Sequence, residues 1–181
     1  MIRTLLYLVA GVLLGLIIHL VVILLIPQFA TRDVYSVISQ LDALNQPRIL
    51  TVPGANQPNP LRLDPDFVYA VCEIDLADGP GVVSGPLPEA FWSVAVFNDN
   101  GTVIYSTTNR DGIGATLELG IFNRDQTRLL ASQQIDIAEG LLIVESPVDS
   151  LFVVVRLSPP HPIMRPRYQE ALAGLTCGNL E

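Results

Sequence analysis

The chain of 181 residues contains no lysine; its ten basic residues are all arginines, set against eighteen acids for a formal net charge of −8. That balance excludes the clustered cations a phosphate backbone requires, and with them nucleic acid as a partner. Cysteine is almost absent: Cys72 and Cys177 stand alone, with no CxxC pair, so a four-ligand zinc site has too few thiolates. Histidine is scarcer than catalysis usually wants. Beyond the apolar N-terminal run only His161 remains, wedged between prolines, and no GxSxG elbow accompanies it. "GPGVVSG" is followed by no lysine and is not a phosphate loop. "VFNDNG" places Val96 where a calcium loop needs its first ligand, so it reads as a turn. No cofactor motif and no internal repeat is present.

What the chain does have is a long apolar run. Thr4 to Ile26 carries no charged residue. As a helix it spans roughly 34 Å at about 1.5 Å per residue, against a hydrocarbon core of about 30 Å. A secretion signal has a shorter core of about 7–15 residues and a small-residue cleavage site, whereas here Gln28 precedes Ala30. We read residues 1–27 as a retained single-span membrane anchor. Arg3 lies before it, and Arg32 beyond it is offset by Asp33, so the positive-inside rule sets the N-terminus in the cytoplasm. The short, lysine-free chain looks bacterial; the expected location is the inner membrane, with the remaining domain in the periplasm. That exported part holds nine arginines and eighteen acids, a formal charge of −9. In an oxidising space Cys72 and Cys177 are expected to pair, fixing the C-terminal segment to the strand that carries Cys72. Within the anchor, Gly11, Gly15 and His19 follow one stripe at steps of four. A GxxxG pair permits close helix approach, and an imidazole in lipid needs a partner, so a homodimer through this stripe is expected.

Residues 28–64 hold apolar positions at helical spacing from about 33 to 45, with Asp33 as N-cap, and then a stretch broken by Pro47, Pro53, Pro58 and Pro60, with Pro65 just beyond. This part reads as an amphipathic helix followed by a linker, or by a strap laid over the domain. From Phe67 the period becomes two. "FVYAVCEIDLADG" puts Val68, Ala70, Cys72, Ile74 and Leu76 on one face and Glu73 and Asp75 on the other. A short strand follows at 81–84. "FWSVAVFNDNGTVIYSTTN" predicts a hairpin with a type I′ turn at Asn100-Gly101, pairing Val96 with Tyr105 and Phe97 with Ile104, central in its sheet because both faces are apolar. Further strands are expected at 114–122, 128–137, 140–146 and 151–157, and a closing helix at 165–175. Residues 65–181 are thus a mainly β domain: an antiparallel β-sandwich, jelly-roll-like, with the N-terminal transmembrane helix before it and a short C-terminal helix at its end.

"FVYAVCEIDLADGPGVV", "FWSVAVFNDNGTVIYSTTNR" and "LFVVVRLSPP" together resemble the bacterial family called domain of unknown function 1254, in its short, membrane-anchored alphaproteobacterial branch. The resemblance covers roughly residues 65–160. It implies a β-sandwich, no agreed activity, and a partner protein of the type called domain of unknown function 1214. It marks Trp92, Ser93, Tyr105 and Arg110 as family-typical, and we take Trp92, Tyr105 and Arg110 as candidate binding residues. Trp92 with Tyr105 would make a stacking surface for sugar or lipid. No residue is assigned to catalysis and none to a metal.

Three functions follow. The first is a non-enzymatic, inner-membrane-anchored periplasmic protein that binds a partner or an envelope glycan or lipid in envelope maintenance. The second is a tethered envelope hydrolase using convergent carboxylates, with Glu73, Asp75 and Asp78 as the nearest such set. The third is a dimeric scaffold subunit for a membrane partner. For the third, Gly15→Ile should lower helix association at least several-fold in a membrane two-hybrid assay; unchanged association would remove the GxxxG dimer.

Overall fold

The computed structural model describes residues 2–29, 34–54, 56–110, 115–132 and 141–180. Helix α1 (Ile2–Phe29) comes first; its apolar part, Ile2–Ile26, is long and apolar enough to cross a membrane and is buried against nothing in the chain. Two sheets follow. The first holds β1 (Arg48–Leu50), β2 (Val68–Asp75), β4 (Trp92–Asn98), β5 (Val103–Thr108) and β8 (Ser150–Leu157), in the order β1-β2-β8-β4-β5. The second holds β3 (Gly81–Pro86), β6 (Thr116–Asn123), β7 (Leu142–Ser146) and β9 (Thr176–Asn179), in the order β7-β6-β3-β9. Between them lies one core: Ala70, Ile74, Val94, Val153 and Leu157 from the first sheet against Val83, Leu119, Ile121 and Val144 from the second. The helix α4 (Arg165–Ala173) adds Tyr168 and Leu172 to that core.

Among the described strands, every pair is antiparallel except β6 and β7, which run parallel within the sandwich expected to be antiparallel. A parallel pair needs a crossover rather than a hairpin, and α3 (Arg124–Ser132) lies on that connection. This also corrects the strand expected at 128–137: residues 128–132 are helical, and 133–137 fall outside the described residues. The reason is local. Asn123 Oδ1 accepts from the Gln126 amide at 2.9 Å, and Gln126 Oε1 accepts from the Asn123 amide at 2.9 Å. This reciprocal cap satisfies two helix-start donors at once and commits the chain to a helix.

The hairpin differs from its expected form in an instructive way. Only Gly101 has a left-handed backbone, at φ 74°, whereas a type I′ turn needs two such residues. The loop is instead three residues, 99–101, closed by Asn98 N–H to Thr102 O at 3.0 Å and Gly101 N–H to Asn98 O at 3.0 Å. Asn98 Oδ1 also accepts from the amides of Asn100 and Thr102. Phe97 therefore opposes Val103, not Ile104, and a bulge at Ile104 restores the expected pair Val96–Tyr105. β4 is central as expected, but β5 is a sheet edge.

The outer face of the first sheet is also apolar, which the alternation in β2 did not reveal. Tyr69, Val71 and Phe152 are buried there with Ile38, Ala43 and Leu50, and Leu61 and Leu63 pack on. Residues 35–54 and 56–63 thus lie as a strap over the sheet. It begins with a short helix α2 (Val34–Ile38) and a 310 turn, Ser39–Leu41, which Asp42 ends at φ 52°. Asp33, the expected N-cap, lies outside the described residues. Within the prolines the strap finds a strand: Arg48–Leu50 pairs with Tyr69–Val71. Arg165 fastens its far end by hydrogen bonds to the carbonyls of Pro65 and Phe67.

Tyr35 fastens the near end. Its hydroxyl donates to Glu73 Oε1 at 3.1 Å and lies 2.8 Å from Ser150 Oγ, so Glu73 is not the free acid its position in β2 suggested. Hydrogen bonding by Ser150 lowers the phenol's pKa, but burial, the Glu73 bond and charge, and the charge of Asp99 outweigh it and raise the value above 10.0.

β9 was not expected. It carries Cys177 beside Val83 of β3, and Cys177 is joined to Cys72 of β2, with Cα atoms 6.5 Å apart and a sequence separation of 105. The cystine thus ties one sheet to the other across the core.

Two predictions follow from these links. Replacing Cys177 with Ala should cost about 2–5 kcal/mol, since a loop of this size restricts the unfolded chain strongly. That corresponds to a fall in Tm of about 5–20 °C in a non-reducing melt. Tyr35→Phe should cost about 1 kcal/mol at neutral pH. Because the folded phenol titrates above 10.0, its contribution is complete below that pH and is lost as pH rises through the folded value. Denaturant melts from pH 7 to about pH 10.5 should show a decline in the wild type that Tyr35→Phe flattens.

Candidate functional site

Strand pairing places outward side chains of the first sheet in rows. Tyr69, Arg156, Ser93 and Thr108 form one row across β2, β8, β4 and β5; Val71, Val154, Ala95 and Ser106 form the next. Phe152, Phe97 and Val103 make a third, with the Phe97 and Phe152 rings stacked at 5.0 Å. The strap covers the β2 side and stops. Beyond its edge a cleft of about 530 Å³ opens over β4, β5 and β8, walled by Leu61, Arg62 and Leu63. That volume is within the range of small-molecule sites. Its floor is polar at the Arg156–Ser93 end and apolar at the Phe97 end.

Arg156 is exposed yet held. Its Nε donates to Oγ of Ser93, a buried residue at 7% exposure, and its guanidinium carbon lies 5.4 Å from the centre of the Phe67 ring. Arg62 is held from behind: Asn59 Oδ1 accepts from the Leu63 amide and Asn59 Nδ2 donates to the Leu63 carbonyl, with Arg62 between at φ 51°. Among the described residues the lining contains arginine, hydroxyl and apolar side chains and no Asp, Glu, His or Cys.

The residues singled out from the sequence fall elsewhere. Trp92 is 2% exposed and belongs to the core, so it offers no stacking surface with Tyr105, which is half-buried on the same inward face. Its neighbour Phe91 is the exposed aromatic of that pair. Arg110 is exposed just past β5, with its amide bonded to Thr108 Oγ1 at 3.3 Å. Gly11, Gly15 and His19 lie on α1, where a Cβ at either glycine meets open space. Cys72 and Cys177 are brought together. Of the acids, Glu73 is bound to Tyr35 and Asp75 caps the turn at Leu76–Asp78. Among the described residues no three His, Cys, Asp or Glu side chains converge as a metal site would require.

Arg156 was missed, although the period of two in "LFVVVRL" sets it on one face with Val154 and Phe152. The strap that turns this face into a cleft has no comparable signal.

The model of the family described as "Protein of unknown function (DUF1254)" matches residues 44–162. The chain belongs to this family. The matched span takes in β1, the later part of the strap and both sheets through β8, and so every residue of the cleft. No curated protein matches. Among solved structures, the VPA0106 protein from Vibrio parahaemolyticus is similar at a TM-score of 0.59 and 14% identity, over 84% of this chain and 34% of that one. It shares the fold; this chain spans about a third of its length. A putative uncharacterized protein from Burkholderia cenocepacia aligns at a TM-score of 0.42 and 12% identity, over 75% of this chain and 42% of that one.

Proposed function

We propose that this DUF1254 protein is a non-enzymatic binding protein held at the bacterial inner membrane by α1, with its N-terminus in the cytoplasm and its sandwich in the periplasm, serving envelope maintenance. The observation that carries the binding reading is the cleft: it presents arginines, hydroxyls and apolar side chains without a carboxylate, histidine or thiol to move protons or attack a bond. Two of the three carboxylates singled out for a tethered hydrolase, Glu73 and Asp75, are engaged in structural bonds instead. The compartment is supported by the cystine, since such a bond persists where thiols are kept oxidised. A tether raises the local concentration of the domain toward anything in or on the same membrane. A partner protein of the DUF1214 type and a homodimer through Gly11, Gly15 and His19 belong to the same proposal.

A C-terminal alkaline phosphatase fusion should be active and the matching green fluorescent protein fusion dark. In whole-cell lysates, Cys72 and Cys177 should react with maleimide only after reduction. A fluorescent fusion with thiols reactive before reduction would overturn the periplasmic placement.

A further inference from the structure

The cleft can be read for the chemistry of what it holds; this deepens the binding reading above and rests on it. The domain is acidic overall, so an anion approaches it only where cations are locally uncompensated. Among the described residues the ion pairs are Arg48–Asp42, Arg124–Glu145 and Arg128–Asp125; neither Arg62 nor Arg156 is in one. Arg156 is also preorganised. With its guanidinium carbon 5.4 Å from the centre of the Phe67 ring and its Nε on Ser93, its two terminal nitrogens have no partner among the described residues. A fixed guanidinium fork suits the two oxygens of a carboxylate or phosphate, and ordering it beforehand reduces the entropy lost on binding.

The rest of the cleft is not built for a small hydrophilic anion. From the Arg156–Ser93 row the floor passes to Val154 and Ala95 and then to Phe97, while Leu61 and Leu63 line the strap wall. Two rows along a strand are roughly 7 Å each way, enough for several methylenes to lie over apolar side chains. We propose that this cleft binds a single-chain anionic amphiphile, its oxyanion head on Arg156 and Arg62 and its hydrocarbon chain over Val154, Ala95 and Phe97.

The test uses the full chain in phosphatidylcholine nanodiscs, with a diazirine-bearing dodecanoic acid as probe and peptide mapping after illumination. Adducts should fall on residues 61–63 and on the outward residues of β4, β5 and β8. Arg156→Gln should cut labelling about tenfold or more and Arg62→Gln several-fold, while Arg128→Gln on α3 should leave it unchanged. Excess dodecanoate or dodecyl phosphate should suppress it; dodecyl maltoside should not. Melting curves monitor folding, and if Arg156→Gln does not fold, the exposed Arg62 variant carries the comparison. Exchanging a fifth of the lipid for phosphatidylglycerol, which carries two chains, should leave labelling in place; suppression by it would overturn the single-chain assignment. Adducts outside the cleft, full labelling of both arginine variants, or equal competition by the neutral detergent would overturn it. If labelling fails while the phosphatase fusion is active, the ligand class is lost and the tethered binding protein stands; the reverse pattern separates them the other way.

Discussion

Strands β2 and β8 are apolar on both faces, and a sheet with two apolar faces needs two covers. The second sheet supplies one. Without the other, Tyr69, Val71 and Phe152 would face water, and burying such side chains contributes about 1.5–3 kcal/mol each. The chain provides that cover from residues 35–54 and 56–63, which precede the sandwich in sequence and are pinned at both ends, by Tyr35 on Glu73 and Ser150 and by Arg165 on the carbonyls of Pro65 and Phe67. A proline-rich segment suits this role, because it packs side chains while making little demand for a regular backbone ladder.

The cleft is a product of the same constraint. The strap is too short to reach the far edge of the sheet, so β4 and β5 keep part of their outward face uncovered. Where the cover ends, the rows change from Val71 and Phe152, which need it, to Ser93, Ser106 and Thr108, which tolerate water. Arg156 lies on that boundary, close over the ring of Phe67 just past the strap and bonded to Ser93 of the sheet floor. The core and the site therefore share strands but use opposite faces: Trp92 and Val94 inward, Ser93 and Ala95 outward.

Much of this was legible beforehand. The long apolar N-terminal helix, the β2 face with Cys72, the β4–β5 hairpin, β8 and the closing helix follow from periodicities of two and 3.6 and from the length of the apolar run. So did the cystine, given an oxidising compartment. The misses have physical causes. α3 was read as a strand because residues 128–137 weakly alternate, while the deciding signal was the Asn123–Gln126 cap just before. β1 and β9 are three and four residues long, too short to show a period. Trp92 falls in the core, and alternation could not show this because it tells which residues share a face and not which face is covered. That same gap hid the cleft.

The hairpin shows how little such a fold asks of its length in any one place. The loop at 99–101 is one residue longer than a two-residue turn, and the bulge at Ile104 takes up the surplus, so Val96 still meets Tyr105. In a chain of this length, either irregularity alone would shift β5 by one position and turn every outward hydroxyl inward. What is constrained is which face β5 turns outward. A one-residue deletion between the two strands can be absorbed by losing either the bulge or the third loop residue, and Val96 still meets Tyr105.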